Sequence, residues 1–318
     1  MKAALVQQAG ATPVYGDFAE PVAAHGLVTV RVAAAALSHV TKSRASGSHY
    51  SASGALPFIP GIDGTGTLAD GTRVYFVMPE APFGGMAEAT LVDPRRCIVL
   101  PPALDDITAA AIANPGMSSW AALAERARLV KGETVLINGA TGISGRLAVQ
   151  IAKYLGAAKV IATGRNPQVL AALSTLGADV LINLNQDAAA LDHAFQQVFR
   201  DGVDVVLDYL WGASAEQLLA AAARAAPEAV PIRFIQIGAV SGATLALPSA
   251  VLRSSSIALM GSGIGSIPMP RLLHAIGQVL AAAVPGQFQV AVNRVPLAQV
   301  EQHWAAPAGA ARLVFTMA

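Results

Sequence analysis

Cysteine is nearly absent from this chain of 318 residues, where Cys97 stands alone. One thiol forms neither an internal disulfide nor a cysteine-based zinc site. Charge is sparse too: 13% of residues are charged, and 21 Lys+Arg against 20 Asp+Glu leave a formal +1. With no basic excess and no Lys/Arg run, nucleic acid is not an expected partner. Long apolar runs are also missing, although the mean hydropathy is +0.51. Stretches such as Leu272 to Asn293 are uncharged but broken by Gln, His, Gly and Pro, so no bilayer span is expected. Two glutamines, Gln7 and Gln8, fall where a signal peptide needs its apolar centre. A cytoplasmic location is therefore expected. What the chain does hold is 54% hydrophobic residues, enough for a large core and too many for disorder.

Three textures follow one another. Up to about residue 105, short β-like runs alternate with Gly, Pro, Ser and Asp. They are Lys2 to Val6, Leu27 to Val32, Arg73 to Phe76, Ala87 to Val92 and Cys97 to Leu100. Strands this closely spaced suggest a small antiparallel barrel or sandwich. From Thr108 to Gly265 strands and helices alternate. Six strands are predicted: Thr134 to Asn138, Lys159 to Thr163, Val180 to Ile182, Val203 to Asp208, Arg233 to Ile237 and Ile257 to Met260. Asn166-Pro167 reads as a helix start and Gly177 as its end, while Ser214-x-x-Gln217 reads as a capping box. Strands separated by helices pair in parallel, and six of them fit a doubly wound sheet of α/β class. The tail from Ser266 adds a helix and two strand-like runs, Phe288 to Val292 and Arg312 to Thr316.

The segment Thr134 to Ala157 carries the chemistry. A buried strand runs into Gly139-Ala140-Thr141-Gly142-Ile143-Ser144-Gly145, and a helix with Leu147, Ile151 and Leu155 on one face follows at once. Glycines at this spacing allow a tight turn, close backbone approach to a pyrophosphate, and close helix–strand contact. The helix N-terminus then offers N–H groups and a positive dipole end to the phosphates. The second strand ends in Thr163-Gly164-Arg165, with no acid before Asp179. An NAD site places Asp or Glu there to hold the ribose 2′-hydroxyl. A guanidinium suits a 2′-phosphate instead, so the expected cofactor is NADPH, with Arg165 as its 2′-phosphate partner rather than a plain solvated charge.

Beyond this turn the chain resembles the medium-chain dehydrogenase/reductase superfamily, in its zinc-free quinone-oxidoreductase-like branch. The resemblance rests on Met1-Lys-Ala-Ala-Leu-Val, Leu27 to Ser38, Leu56-Pro-Phe-Ile-Pro-Gly-Ile-Asp-Gly-Thr-Gly66, Asn114-Pro-Gly-Met-Ser-Ser-Trp120 and Val203 to Asp208. It implies a Rossmann domain, 114–265, inserted into a GroES-like β-barrel domain built from 1–113 and 266–318. It also implies hydride transfer from NADPH to a quinone or an α,β-unsaturated carbonyl. A trans-enoyl reductase of lipid or polyketide synthesis and a non-catalytic NADPH-binding redox sensor remain as alternatives.

Departures from the superfamily's zinc enzymes matter as much. Their Gly-His-Glu motif is replaced by Gly61-Ile62-Asp63, their cysteine ligand near Ser38-His39 is lost, and no metal is expected. Asp63 reads as a turn or capping residue. No Tyr-x-x-x-Lys pair of the short-chain type occurs. Quinones and enones already draw electrons, so such a site needs mainly alignment and a hydrogen bond to the developing oxyanion. By resemblance, Ser38, Tyr50 and Ser118 face the nicotinamide end. Tyr50 is the candidate for substrate contact or proton donation, with a packed loop tyrosine as the plainer reading. Ser118 is a candidate cofactor contact or a helix cap. Gly238 and Ala239, at the exit of the fifth strand, join the candidate cofactor residues. The sixth strand, residues 257–260, is apolar and uncharged, and an edge of that kind predicts a homodimer.

Overall fold

The computed structural model describes residues 1–23, 26–47, 56–306 and 311–317. Strands in chain order are β1 (Lys2–Leu5), β2 (Val14–Asp17), β3 (Val28–Ala36), β4 (Asp63–Thr67), β5 (Arg73–Val77), β6 (Ala89–Val92) and β7 (Cys97–Val99). There follow β8 (Thr134–Asn138), β9 (Lys159–Gly164), β10 (Val180–Asn183), β11 (Val205–Asp208), β12 (Ile232–Gln236) and β13 (Ile257–Gly261), then β14 (Val292–Pro296) and β15 (Arg312–Thr316). The α-helices are α1 (His39–Ala45), α2 (Asp106–Ala121), α3 (Ile143–Tyr154), α4 (Pro167–Ala171), α5 (Ala188–Asp201), α6 (Gly212–Ala225), α7 (Ser249–Arg253), α8 (Met269–Ala283) and α9 (Val300–Trp304). Among the described residues no helix is long and apolar enough to cross a membrane.

The chain divides into two compact units. One comprises Met1–Asn114, Leu280–Pro285 and Val290–Ala318, the other Pro115–Val279 and Gly286–Gln289. The later boundary lies past the expected 265/266. Helix α8 continues the packing of the second unit: a side chain at Gly116 would lie 2.7 Å from Val279, so the small residue lets the two come together.

The second unit holds the predicted doubly wound sheet, in the order β10-β9-β8-β11-β12-β13 with every pairing parallel. Its inner strands are apolar because helices cover such sheets on both faces. Val135, Leu136 and Ile137 of β8 and Val205, Val206 and Leu207 of β11 are fully buried. Helix α3 lays Leu147 and Ile151 against this sheet, both at 0% exposure. Leu136 and Val206 join Phe195 and Phe199 of α5 and Leu218 and Leu219 of α6 in one core. Asn166 caps α4 as expected, its Oδ1 accepting from the Val169 N–H at 3.1 Å. Ser214 does not act as a cap: α6 starts at Gly212 with no side-chain cap, and the Ser214 hydroxyl donates to Asn138 instead. A polar partner in the core outcompetes the helix end for that hydroxyl.

The first unit contains a mostly antiparallel sheet in the order β14-β15-β3-β4-β5-β7, with β6 pairing β3, and a β1-β2 ribbon. Chain ends therefore share one sheet, since β15 pairs with β3. Phe288 to Val292 is not the expected strand, which runs over Val292–Pro296 instead. Phe288 is held edge-on to Tyr154, and Gln150 clamps the Gln289 backbone through both amide atoms, at 3.0 and 2.7 Å. Those contacts take the polar backbone that a strand ladder needs.

Candidate functional site

In the second unit, the carboxyl ends of β8, β9, β11 and β12 bring several candidates into neighbouring positions. Gly139 leaves β8 at φ +86, a conformation that favours glycine. Gly142 is the N-cap of α3, and among the described residues no side chain caps the first N–H groups of that helix. A Cβ at Gly142 would meet nothing within 4 Å, which leaves open space beside those N–H groups. A Cβ at Gly145 would lie 2.5 Å from Ala140 Cα and 2.5 Å from the Gly139 carbonyl, so helix and turn are in direct backbone contact. This pattern fits a pyrophosphate: two glycines shape the turn and the third leaves room for the ligand.

The turn is held by a buried polar network. Thr163 Oγ accepts from the Gly139 N–H at 3.1 Å and donates to Asn138 Oδ1 at 2.8 Å. Its side chain is fully buried, so Thr163 supports the turn from beneath. Asn138 Nδ2 donates to Asp208 Oδ1 at 2.8 Å, and Ser214 Oγ reaches Asn138 Oδ1 at 3.0 Å. Burial raises the Asp208 pKa, while Asn138 and the N–H groups of Leu210 and Trp211 work against that rise. Ala140 N–H completes the arrangement by donating to the Thr163 carbonyl at 2.8 Å. Sequence reasoning gave none of Asn138, Asp208 and Ser214 a role in the site, and read Ser214 as a helix cap. Their only sequence signal was their place at a strand end or helix start.

Beyond the turn, Gly164 packs against Thr141, and Arg165 stands exposed at the end of β9. The Arg165 carbonyl accepts from Asn185 at 2.9 Å, and no ion pair takes the guanidinium among the described residues. At the end of β11, Tyr209 is 9% exposed. Burial pushes its hydroxyl up to about 12, with the Ser118 and Ser119 hydroxyls opposing the shift. Both serines already donate to backbone carbonyls, Ser118 to Pro115 at 2.7 Å and Ser119 to Gly116 at 3.0 Å. The Tyr209 hydroxyl has no hydrogen-bond partner among the described residues. Gly238 sits against the Tyr209 carbonyl, and Ala239 beyond it is exposed.

The first unit holds the other candidates. Ser38, 5% exposed, is the N-cap of α1: its Oγ accepts from Thr41 N–H at 3.0 Å and pairs with Thr41 Oγ at 2.9 Å. Its hydroxyl therefore has a structural task. Tyr50 lies outside the described residues. Asp63 is no turn residue. It starts β4, is 2% exposed, and accepts from Tyr75 OH at 2.6 Å and from Asn114 Nδ2 at 3.2 Å. Burial raises its pKa, against the effects of Tyr75, Arg312 and Asn114. Arg312 is itself 8% exposed, and burial lowers its pKa against the pull of Asp63. Cys97 is half-buried with its thiol pushed up to about 11 by burial, which suits an unreactive thiol. Among the described residues no three His, Cys, Asp or Glu side chains converge as metal ligands would.

Comparison with known proteins gives this geometry a context. Residues 145–278 match the family model described as zinc-binding dehydrogenase. Over 347 aligned positions the chain is 28% identical to a protein of Emericella nidulans named "Probable NADPH-dependent quinone reductase", covering 96% of each. It is 31% identical over 221 positions to the quinone oxidoreductase of Lama guanicoe, covering 66% of each chain. Among solved structures, the quinone oxidoreductase of Thermus thermophilus, studied also as its NADPH complex, superposes with a TM-score of 0.83 at 26% identity. That match covers 99% of this chain and 100% of the other.

Proposed function

This chain belongs to the medium-chain dehydrogenase/reductase superfamily, in its quinone-oxidoreductase-like branch, and from that premise we propose that it reduces quinones or α,β-unsaturated carbonyls with NADPH. NADPH, when bound, supplies the hydride. The observation that carries the reading is the N-terminus of α3 without a side-chain cap behind an open Gly142, with Arg165 at the end of β9 in no ion pair among the described residues. The turn Gly139 to Gly145 would hold the pyrophosphate, its backbone shaped by Gly139, Ala140 and Gly145 and its N–H groups offered at the start of α3, with Arg165 on the 2′-phosphate. Ala140 and Thr141 shape the turn, Gly164 gives Thr141 its seat, and Ser118, Gly238 and Ala239 border the strand ends. Asn138 and Thr163 fix the turn before the ligand arrives, so less ordering is needed on binding.

The test is a steady-state comparison of substrates. Menadione or a small enone should be reduced with NADPH, while ethanol should not be oxidised measurably with NADP+. Faster oxidation of ethanol than reduction of quinone would overturn the reading. Arg165→Ala should weaken NADPH binding about 10–100-fold, the range of charge-assisted contacts, and leave NADH binding nearly unchanged. Equal affinity of the unaltered protein for both cofactors would refute the role given to Arg165.

Metal independence belongs to the same proposal. Ile62 stands where the zinc enzymes carry a histidine, and it offers no ligand atom. Elemental analysis of purified protein should find no stoichiometric zinc.

A homodimer is proposed through β13, which lies at the edge of its sheet with Ile257, Leu259 and Met260 half-buried. An apolar edge with free backbone groups invites a second copy, and two-fold pairing closes the assembly. Light scattering at micromolar concentration should give the mass of a dimer, and Leu259→Lys should shift it towards monomer.

A further inference from the structure

Strand β9 ends at Gly164, the place where a site that takes NADH carries the acid for its ribose hydroxyls. This chain has no side chain there, and packing supplies the reason. A Cβ at Gly164 would fall on the Thr141 methyl, far inside van der Waals contact. The next atoms around it are Thr141 Oγ1 at 3.3 Å and Leu170 Cδ1 at 3.4 Å. All remaining atoms of Thr141, its Cβ included, lie no nearer than that. The methyl is therefore the obstacle, and an alanine at 141 would clear it.

Neither partner is free to back away. Gly139 N–H donates to Thr163 Oγ1 at 3.1 Å and Ala140 N–H to the Thr163 carbonyl at 2.8 Å, which ties the turn to β9 one residue before the contact. From behind, α3 presses on the turn through Gly145, where a Cβ would lie 2.5 Å from Ala140 Cα. On the far side β10 holds Gly164: it pairs with Asn183, and its carbonyl accepts from Leu184 N–H at 2.9 Å. A β-branched side chain is also stiff at χ1. Turning it would bring the hydroxyl or the hydrogen into the methyl's place, and only the hydrogen would leave room.

We propose that Thr141 is a specificity-determining residue: its methyl keeps position 164 free of a side chain, so no carboxylate can take the ribose hydroxyls, and the 2′-phosphate is left to Arg165. The inference rests on the NADPH reading of the same turn and adds a steric lock to it. Replacing Arg165 removes the partner of the phosphate but supplies none for the hydroxyls. Opening Thr141 is the step that admits one.

The test combines Gly164→Asp with Thr141→Ala and measures NADH and NADPH affinity by calorimetry on the full chain. In the double variant the carboxylate should raise NADH affinity about 10-fold and repel the 2′-phosphate by at least as much, so the NADH-to-NADPH ratio should rise about 100-fold. Gly164→Asp beside an intact Thr141 should lack the gain in NADH affinity. Gly164→Ala isolates the steric part without any cofactor. It should lower the melting temperature by at least about 3 °C in the unaltered background and by less than about 1 °C in a Thr141→Ala background. Equal melting penalties in the two backgrounds would overturn the proposal. So would a single aspartate variant with the NADH affinity of the double one, or a double aspartate variant that unfolds or keeps the unaltered preference. Failure of the NADPH reading looks different: the unaltered protein would bind both cofactors alike, while the alanine comparison would still show Thr141 closing position 164.

Discussion

Asp63→Ala is expected to cost about 3 kcal/mol of unfolding free energy, because it removes the acceptor of a buried network. Tyr75 OH would lose its 2.6 Å partner, Asn114 its 3.2 Å partner, and the buried Arg312 the pull of an opposing carboxyl group. Asp63→Asn keeps an oxygen for Tyr75 and should cost less than half as much. Urea denaturation at neutral pH distinguishes the two, and an alanine variant within about 0.5 kcal/mol of the unaltered protein would refute the argument. The pH dependence has a definite sign. Burial raises the Asp63 pKa in the folded state, so the folded protein binds the proton more readily than the unfolded one. Stability from this group is then fully present below the unfolded carboxyl value and is lost as pH rises through the folded value. The stability difference, unaltered protein minus Asp63→Asn, should fall across that window and level off above it. A difference that grows with pH would mean that Tyr75 and Arg312 outweigh burial.

The network around Asp63 also marks where sequence reasoning stops. Gly61-Ile62-Asp63 was legible as the loss of a zinc motif, yet nothing local placed Asp63 in a strand. The run Asp-Gly-Thr-Gly-Thr has the composition of a turn, since glycine weakens a strand interior. It forms β4 because the chain needs close backbone approach there: a Cβ at Gly66 would sit 2.1 Å from the Arg31 carbonyl. That requirement arises from β3, far away in sequence. The six parallel strands, by contrast, were legible because continuous apolar runs separated by helices admit one pairing pattern.

The candidate site divides along the same line. Gly139 to Gly145 could be read directly, because strand, glycine spacing and helix are contiguous. Thr163 could be named only as a strand-end residue. Its work under the turn depends on β9 lying beside β8, which brings its hydroxyl to Gly139 and Asn138. Asn138 and Asp208 are 70 residues apart and meet only because β11 takes the place next to β8. Tyr209 had no sequence signal at all. Its hydroxyl becomes conspicuous only once its burial beside Ser118 and Ser119 is seen.

Gly142 and Gly145 should respond oppositely to the same substitution, and this separates a ligand-binding turn from a merely tight one. At Gly145 a Cβ would meet backbone atoms of Ala140 and Gly139 at 2.5 Å, and no side chain can rotate away to relieve that. Gly145→Ala must push α3 off the turn, at a cost of about 2–4 kcal/mol in stability as well as loss of cofactor binding. At Gly142 the backbone is extended, with φ −74, and an added Cβ would touch no protein atom within 4 Å. Gly142→Ala should therefore leave the melting temperature of the cofactor-free protein within about 2 °C, or raise it slightly by restricting the unfolded chain. The same methyl group would stand at the start of α3, whose N–H groups no side chain caps among the described residues and where a pyrophosphate needs to approach. NADPH affinity should fall at least about 10-fold, read by quenching of protein fluorescence or by calorimetry. If Gly142→Ala binds NADPH as the unaltered protein does, the open space beside α3 is not the phosphate site. If it melts several degrees lower without ligand, the glycine serves the fold rather than the cofactor.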